Sequence, residues 1–168
     1  MKEVKDLALN PDTLEFLAYL HGGRKPMPFQ TLNFKVGTQQ ELHSDVLFFD
    51  SEPRGLMAAA WVALEDTTDY NRPLQFIPKS HQFSLWDFEA IGMHYDHDVQ
   101  NTLETTEEEM RLYYLESLPK AIRRSGLQNK QLANNVKRGQ TFIWAAGLVH
   151  GGSKVLDEKA TRMSQVTH

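Results

Sequence analysis

The sequence lacks cysteine, long apolar runs and long runs of basic residues. Without cysteine the chain has no disulfide, no thiolate zinc site and no cysteine nucleophile. Basic runs stop at pairs such as Arg123–Arg124 and the formal net charge is -4, so a nucleic-acid partner is not expected. No stretch approaches the ~20 apolar residues of a membrane span, and the start MKEVKDLALN lacks the apolar core of a signal peptide. We therefore expect a cytoplasmic protein with no membrane partner.

The composition is that of one globular domain. Hydrophobic residues make up 40% of the chain and charged residues 24%, which is ordinary for a folded protein. A chain of 168 residues can bury a sizeable core without cross-links. We expect a single domain over residues 1–168.

The segment NPDTLEFLAYLHGG predicts an N-terminal helix within residues 1–25. Asn10 is a favourable N-cap, and Pro11 suits the first helical position. The apolar residues that follow recur at helical spacing, and Gly22–Gly23 ends the element. His21 is interpreted as a C-terminal cap.

The rest of the chain is dominated by short runs with β propensity. They are FQTLNFKV, VLFF, LMAAAWVAL, LQFI, TFIWA, LVH and ATRMSQVTH, separated by Gly, Pro, Asp and Asn. Such a series predicts a mainly β fold, an antiparallel sandwich or barrel.

An insert at residues 92–126 interrupts the strands with a His/Asp-rich loop and then a helical stretch. Thr106 and Glu109 fit a capping box before EEMRLYYLESL. Pro119 is expected to separate this stretch from a shorter basic helix, KAIRRSG. An insert of this kind either covers a binding mouth or shields the sheet.

Two His-x-Asp motifs are candidate metal sites, because alternate strand residues point to the same face, about 6.6 Å apart. With 7 histidines and 22 acidic residues, His-x-Asp/Glu is expected about once by chance. His43-Ser-Asp45 runs directly into VLFFD, which predicts a strand start with fixed geometry. His94-Tyr-Asp96 lies in a polar stretch and is interpreted as part of a solvated loop, or alternatively of a lid that touches substrate.

His150 is the best candidate for a third ligand. It ends the run LVH, and Gly151–Gly152 after it would let another group approach closely. Two histidines and one carboxylate on one face of a metal leave three open positions, the arrangement of non-haem iron(II) oxygenases. His81 is interpreted as tethering a turn, and the pattern gives no interpretation for His168, the last residue.

Arg162, Ser164 and Val166 share one face if ATRMSQVTH forms a strand. A buried arginine is costly unless an anion pairs with it, and a guanidinium with a hydroxyl suits a carboxylate. The alternative is a surface arginine on an edge strand. The position of Arg162, 12 residues after His150, favours an inward orientation of its side chain.

Several motifs, in order, resemble the phytanoyl-CoA dioxygenase family of iron(II)/2-oxoglutarate-dependent oxygenases. They are GTQQELHSD, AAAWVALEDTTDYNRPLQFIPKSH and GLVHGGS followed by TRMS, within residues 31–167. The resemblance implies a double-stranded β-helix, a jelly-roll, cupin-like fold. It also implies roles for six residues: iron ligation by His43, Asp45 and His150, 2-oxoglutarate binding by Arg162 and Ser164, and a pocket position for Trp61. Core packing explains Trp61 equally well.

The function implied by the resemblance is hydroxylation of a C–H bond in a small-molecule substrate by dioxygen, with decarboxylation of 2-oxoglutarate to succinate. The carboxylate at Asp45 favours hydroxylation, because related halogenases lack it. Two alternatives stay open. One is an inactive or truncated member that acts as a binding or interaction module, and the other is a cupin-like metalloenzyme that does not use 2-oxoglutarate.

The sequence departs from the family pattern at three places. Only 42 residues precede His43, and the chain ends in the run that carries Arg162. We therefore expect a truncated member whose exposed sheet edges pair in a homodimer. Arg72 and Lys79 stand where the family has glycine, so a turn that requires a positive φ would be strained.

Overall fold

The computed structural model describes residues 1–38, 40–48, 51–53, 55–71, 73–83, 111–153, 156–157 and 159–168. Two helices come first, α1 (Lys2–Ala8) and α2 (Pro11–Leu20). The start of α2 is the predicted one, because the Asn10 side chain accepts a hydrogen bond from the backbone N–H of Thr13 at 3.0 Å. The predicted cap at His21 is also confirmed. In this described part of the chain, no helix combines the length and apolarity needed to cross a membrane.

The β-prone runs form two antiparallel sheets. The strands are β1 (Thr31–Phe34), β2 (Ala58–Ala63), β3 (Leu74–Phe76), β4 (Leu132–Asn134), β5 (Thr141–Ala145), β6 (His150–Gly152) and β7 (Ser164–Thr167). One sheet has the order β1-β7-β2-β5 and the other β4-β3-β6. The mainly β class is thereby confirmed. Strand β1 lies at an edge of the larger sheet, and its pairing in a homodimer stays a prediction.

The main core joins the two sheets. Trp61 of β2 and Val166 of β7 come from the larger sheet, and Leu74 of β3 comes from the smaller one. Alternation along β2 explains the arrangement, because Ala59, Trp61 and Ala63 are all buried on one face. The two sheets therefore enclose an apolar interior beside which polar site residues can lie.

The helical part of the insert is continuous where a break was predicted. A π-helical segment, Tyr113–Ser117, leads directly into α3 (Leu118–Arg124). Pro119 lies at the start of α3, where a missing backbone N–H costs little. The shorter basic helix predicted to follow Pro119 is therefore present, although no non-helical gap precedes it. The capping box predicted at Thr106 and Glu109 lies outside the described residues.

The described part of the run VLFF, residues 46–48, does not form the predicted strand. Asp45–Leu47 is a 3-10 turn, closed by a hydrogen bond of 2.8 Å from the Phe48 N–H to the Asp45 carbonyl. His43 joins the sheet only through an isolated bridge to His150. His150 in turn begins β6, although the sequence placed it at a strand end.

The turn before the second 3-10 segment, Ser80–Gln82, carries the predicted strain. Lys79 has a left-handed φ of 69°, which costs a residue with a Cβ about 1–2 kcal/mol. We expect Lys79→Gly to raise the free energy of unfolding by about 0.5–1 kcal/mol, because the relief exceeds the entropy lost through a more flexible unfolded chain. Urea denaturation measures this change. Asn129→Gly is the control: Asn129 has a φ of 65° but tolerates it better, and a larger gain there would contradict the argument.

Candidate metal centre

Three side chains predicted as ligands meet in one buried group, His43, Asp45 and His150. Their ligand atoms lie within 4.8 Å of one another. The Oδ1 atom of Asp45 is 3.6 Å from His43 Nε2 and 3.5 Å from His150 Nε2. Ligands about 2.1 Å from a shared ion and at right angles are about 3 Å apart. A small contraction of this group would therefore enclose an ion.

Backbone carbonyls fix the protonation of both rings. His43 Nδ1 lies 2.7 Å from the Glu41 carbonyl, and His150 Nδ1 lies 2.9 Å from the Leu148 carbonyl. Because a carbonyl oxygen only accepts, each Nδ1 donates its proton there, and in the neutral tautomer this leaves Nε2 with a lone pair for a metal. Burial also lowers the pKa of His150, against the opposing effect of Asp45. The ring is therefore held in the neutral form that binds metals.

The carboxylate of Asp45 is ionised and oriented. Burial alone would raise its pKa, but the surrounding side chains of His168, His43 and His150 hold that pKa well below the usual range. Trp144 Nε1 donates a hydrogen bond of 2.9 Å to Oδ2. Oδ1 therefore faces the two ligand histidines, and Oδ2 is turned toward the protein.

Contacts from distant segments hold the chain around the first two ligands, where His43 bridges to His150 and Asp45 begins a 3-10 turn. The Ser44 N–H donates to the hydroxyl of Tyr113 at 3.1 Å, and the Ser44 hydroxyl donates to the Ala146 carbonyl at 2.9 Å. The Val149 N–H donates to the Ser80 hydroxyl at 2.7 Å. These bonds take up the backbone and side-chain groups around the ligands and leave the local chain little freedom.

The predicted close approach at Gly151 is confirmed. A Cβ there would lie 2.9 Å from the Gln40 carbonyl oxygen and 3.0 Å from that of Glu41. We expect Gly151→Ala to lower the free energy of unfolding by about 1–3 kcal/mol, as overpacking does elsewhere. Gly147→Ala is the matched control, because its added Cβ would meet nothing nearer than 3.4 Å, at the His81 carbonyl. Equal urea midpoints for the two variants would contradict the expectation.

Arg162 is buried beside the centre. It is 2% exposed, its Cζ lies 5.6 Å from the centre of the Trp61 ring, and it lies two residues before the start of β7. The alternative of a surface arginine on an edge strand is therefore wrong. Ser164 is fully buried, and its hydroxyl has no hydrogen-bond partner among the described residues. A guanidinium and an available hydroxyl in one interior fit an anionic carboxylate.

One cavity of about 240 Å³ connects the ligand cluster to Arg162, and Ser164 is not among the residues that line it. The three candidate ligands and Arg162 line it, together with Trp61 and Val166. Trp61 is also part of the main core, so its two interpretations, pocket wall and core residue, both describe its position. Arg162 and the three candidate ligands therefore form a small polar site within an otherwise apolar interior.

The structure adds one histidine to the site and places two others elsewhere. The His168 side chain is 5% exposed, and its Nε2 lies 3.7 Å from Asp45 Oδ2. Alternation along β7 is the signal that would have found it, because His168 follows Arg162, Ser164 and Val166 at the same two-residue spacing. His81 lies on an exposed turn and His21 caps α2. The His94–Asp98 loop lies outside the described residues.

Comparison with protein families matches the model for phytanoyl-CoA dioxygenase (PhyH) to residues 4–164. The chain belongs to the phytanoyl-CoA dioxygenase family. Comparison with curated proteins finds no match.

Solved structures share the fold of this PhyH chain. The non-heme alpha ketoglutarate dependent carbocyclase SnoK from nogalamycin biosynthesis has a TM-score of 0.67 at 18% identity, over 98% of this chain and 58% of its own. EctD from S. alaskensis with bound Fe has a TM-score of 0.62 at 20% identity, over 97% of this chain and 50% of its own. The epimerase SnoN, in complex with Fe3+ and alpha ketoglutarate, has a TM-score of 0.60 at 17% identity, over 99% and 58%.

These likenesses establish the fold of the PhyH chain. The predicted jelly-roll, cupin-like architecture is confirmed by them together with the two antiparallel sheets. The chain spans 58% of the length of SnoK and 50% of that of EctD. At 20% identity or less, these comparisons support the fold alone, and the chemistry has to be argued from the residues of the site.

Proposed function

We propose that this chain binds iron(II) through His43, Asp45 and His150 and uses 2-oxoglutarate as co-substrate in oxidising a small molecule. One observation carries the proposal: two imidazole Nε2 atoms and one carboxylate oxygen converge in a cavity that a buried arginine also lines. The family assignment supports the same chemistry.

The donor set fits iron(II). Two neutral imidazoles and one ionised carboxylate form a facial group that leaves three positions for other ligands. Both Nδ1 atoms are bound by backbone carbonyls, so neither ring has to reorient when a metal enters. When bound, iron would supply the activation of dioxygen, which side chains alone do not provide.

Arg162 and Ser164 fit the distal carboxylate of 2-oxoglutarate. A guanidinium offers parallel N–H donors to both carboxylate oxygens, and the Ser164 hydroxyl supplies a further donor. The indole of Trp61 lies against the guanidinium, where it orients the charged group and excludes water. Burial strengthens the ionic contact, because water does not screen the pair.

The overall reaction proposed is hydroxylation. A substrate C–H bond, dioxygen and 2-oxoglutarate give the alcohol, succinate and carbon dioxide. One oxygen atom of dioxygen enters the alcohol and the other enters succinate. Asp45 supplies the carboxylate that related halogenases lack at this position. Its presence favours hydroxylation over halogenation. The chain's own contribution is to hold the reactants in a buried cavity and to keep water away from them.

The experiment is an anaerobic titration of the iron(II)-loaded protein with 2-oxoglutarate. Chelation of the metal by the keto acid is expected to produce a weak, saturable charge-transfer band in the visible spectrum. Absence of the band despite confirmed iron binding would leave a metalloprotein that does not use this co-substrate. Failure to bind iron at all would favour an inactive binding module. For the hydroxylation step, product formed under 18O2 should contain one labelled oxygen atom.

A further inference from the structure

The two oxygens of Asp45 have different neighbours. Oδ1 faces the ligand histidines at 3.5 and 3.6 Å. Oδ2 accepts the indole N–H of Trp144 at 2.9 Å and faces Nε2 of His168 at 3.7 Å. A carboxylate that binds a metal through one oxygen uses the other for hydrogen bonds from its surroundings. The arrangement around Asp45 has this form.

The imidazole of His168 is placed by the sheet. The backbone N–H of His168 donates to the Gln30 carbonyl at 2.9 Å, and the backbone carbonyl of His168 accepts the Phe29 N–H at 2.6 Å. These bonds continue the pairing of β1 with β7, in which Thr31 is opposite Thr167. Backbone pairing therefore places the ring of His168 at the site, and this placement does not depend on contacts with the metal ligands.

We propose that His168 is a positioning residue that donates Nε2–H to Asp45 Oδ2 and keeps the carboxylate bound to the metal through Oδ1 alone. The inference rests on the proposed function. The present separation of 3.7 Å requires a shift of about 0.7 Å to reach an ordinary hydrogen bond. A second donor beside Trp144 opposes chelation by both oxygens, which would occupy one of the three positions needed by co-substrate and dioxygen.

The test compares His168→Gln with His168→Met, because the two side chains have similar size and only glutamine donates N–H. Mn(II) binding to each variant is measured by electron paramagnetic resonance without 2-oxoglutarate or oxygen. Loss of the donor in His168→Met is expected to weaken Mn(II) affinity about 10- to 100-fold, the usual effect of removing a partner of a ligand. His168→Gln should remain within about 3-fold of the unmodified protein, by the same reasoning. His168→Phe replaces the methionine variant if that one does not fold.

A second measurement needs no variant. The proposal requires the Nε2–H tautomer of His168, which long-range 1H–15N spectra of the metal-free protein distinguish from the Nδ1–H form. An Nδ1–H tautomer, or equal Mn(II) affinities for the glutamine and methionine variants, would overturn the role of His168 and leave the proposed function intact. An unmodified protein that takes up no Mn(II) would overturn the proposed function, and this inference with it.

Discussion

The substitution His150→Ala is expected to abolish metal binding. His150 contributes one of the two Nε2 atoms of the centre, and its Nδ1 is fixed by the Leu148 carbonyl at 2.9 Å. Its removal leaves one imidazole and one carboxylate, too few for the three-point facial arrangement. Iron(II) and Mn(II) affinity should fall by more than about 100-fold, beyond the effect of changes to outer partners of a ligand. The charge-transfer band with 2-oxoglutarate should be lost at the same time.

The matched control for this variant is His81→Ala. His81 lies on an exposed turn, so its replacement changes the histidine count without touching the centre. Metal binding is measured for both variants by anaerobic titration, and circular dichroism establishes that each is folded. Retention of tight binding by a folded His150→Ala protein would exclude the proposed ligand set.

Arg162→Ala is expected to remove most of the affinity for 2-oxoglutarate while iron(II) binding persists. Loss of one member of a buried, hydrogen-bonded charge pair costs about 2–4 kcal/mol, equivalent to roughly 30- to 1000-fold in the dissociation constant. Arg162→Lys should recover only part of this loss, because an ammonium keeps the charge but does not contact both carboxylate oxygens as a planar fork. The iron ligands are unchanged in both variants.

The dissociation constant of 2-oxoglutarate, read from the charge-transfer band, checks this expectation. Arg138→Ala is the control, since Arg138 lies on an exposed turn where its backbone N–H donates to Asp66. Thermal unfolding of each variant separates loss of binding from loss of the packing of Arg162 on Trp61. If Arg162→Ala bound 2-oxoglutarate as tightly as the unmodified chain, the co-substrate assignment would be wrong, and a cupin-like metalloenzyme would become the better hypothesis.

The sequence was informative where chemistry is local. The start of α2 follows from Asn10 and Pro11, and the fold class follows from a series of short strands. The meeting of His43, Asp45 and His150 was also predicted, but the local structure was not. The run VLFF has a strong strand preference, yet Asp45–Leu47 forms a 3-10 turn. The adjoining backbone is held by the Tyr113 hydroxyl, a contact with a distant segment that no local pattern indicates.

The other differences between the sequence-based predictions and the structure also arise from the context of each residue in the fold. The role of His168 depends on the register between β1 and β7, which pairs residues from nearly opposite ends of the sequence. Pro119 was expected to end a helix, but a preceding π-helical segment places it in the first turn of a new one, where it is tolerated.

The backbone bridge between His43 and His150 makes the spacing of these two ligands independent of the sequence of the segment that connects them. Each residue donates its N–H to the other's carbonyl at 2.8 Å, a narrow antiparallel pair that sets the Cα atoms about 5.5 Å apart. Backbone groups of the two ligand residues themselves make this pair of hydrogen bonds. Loops between the two positions can therefore be exchanged for longer, shorter or chemically different ones while the ligands keep their separation. Selection for a new substrate can act on such loops without rebuilding the centre that performs the reaction.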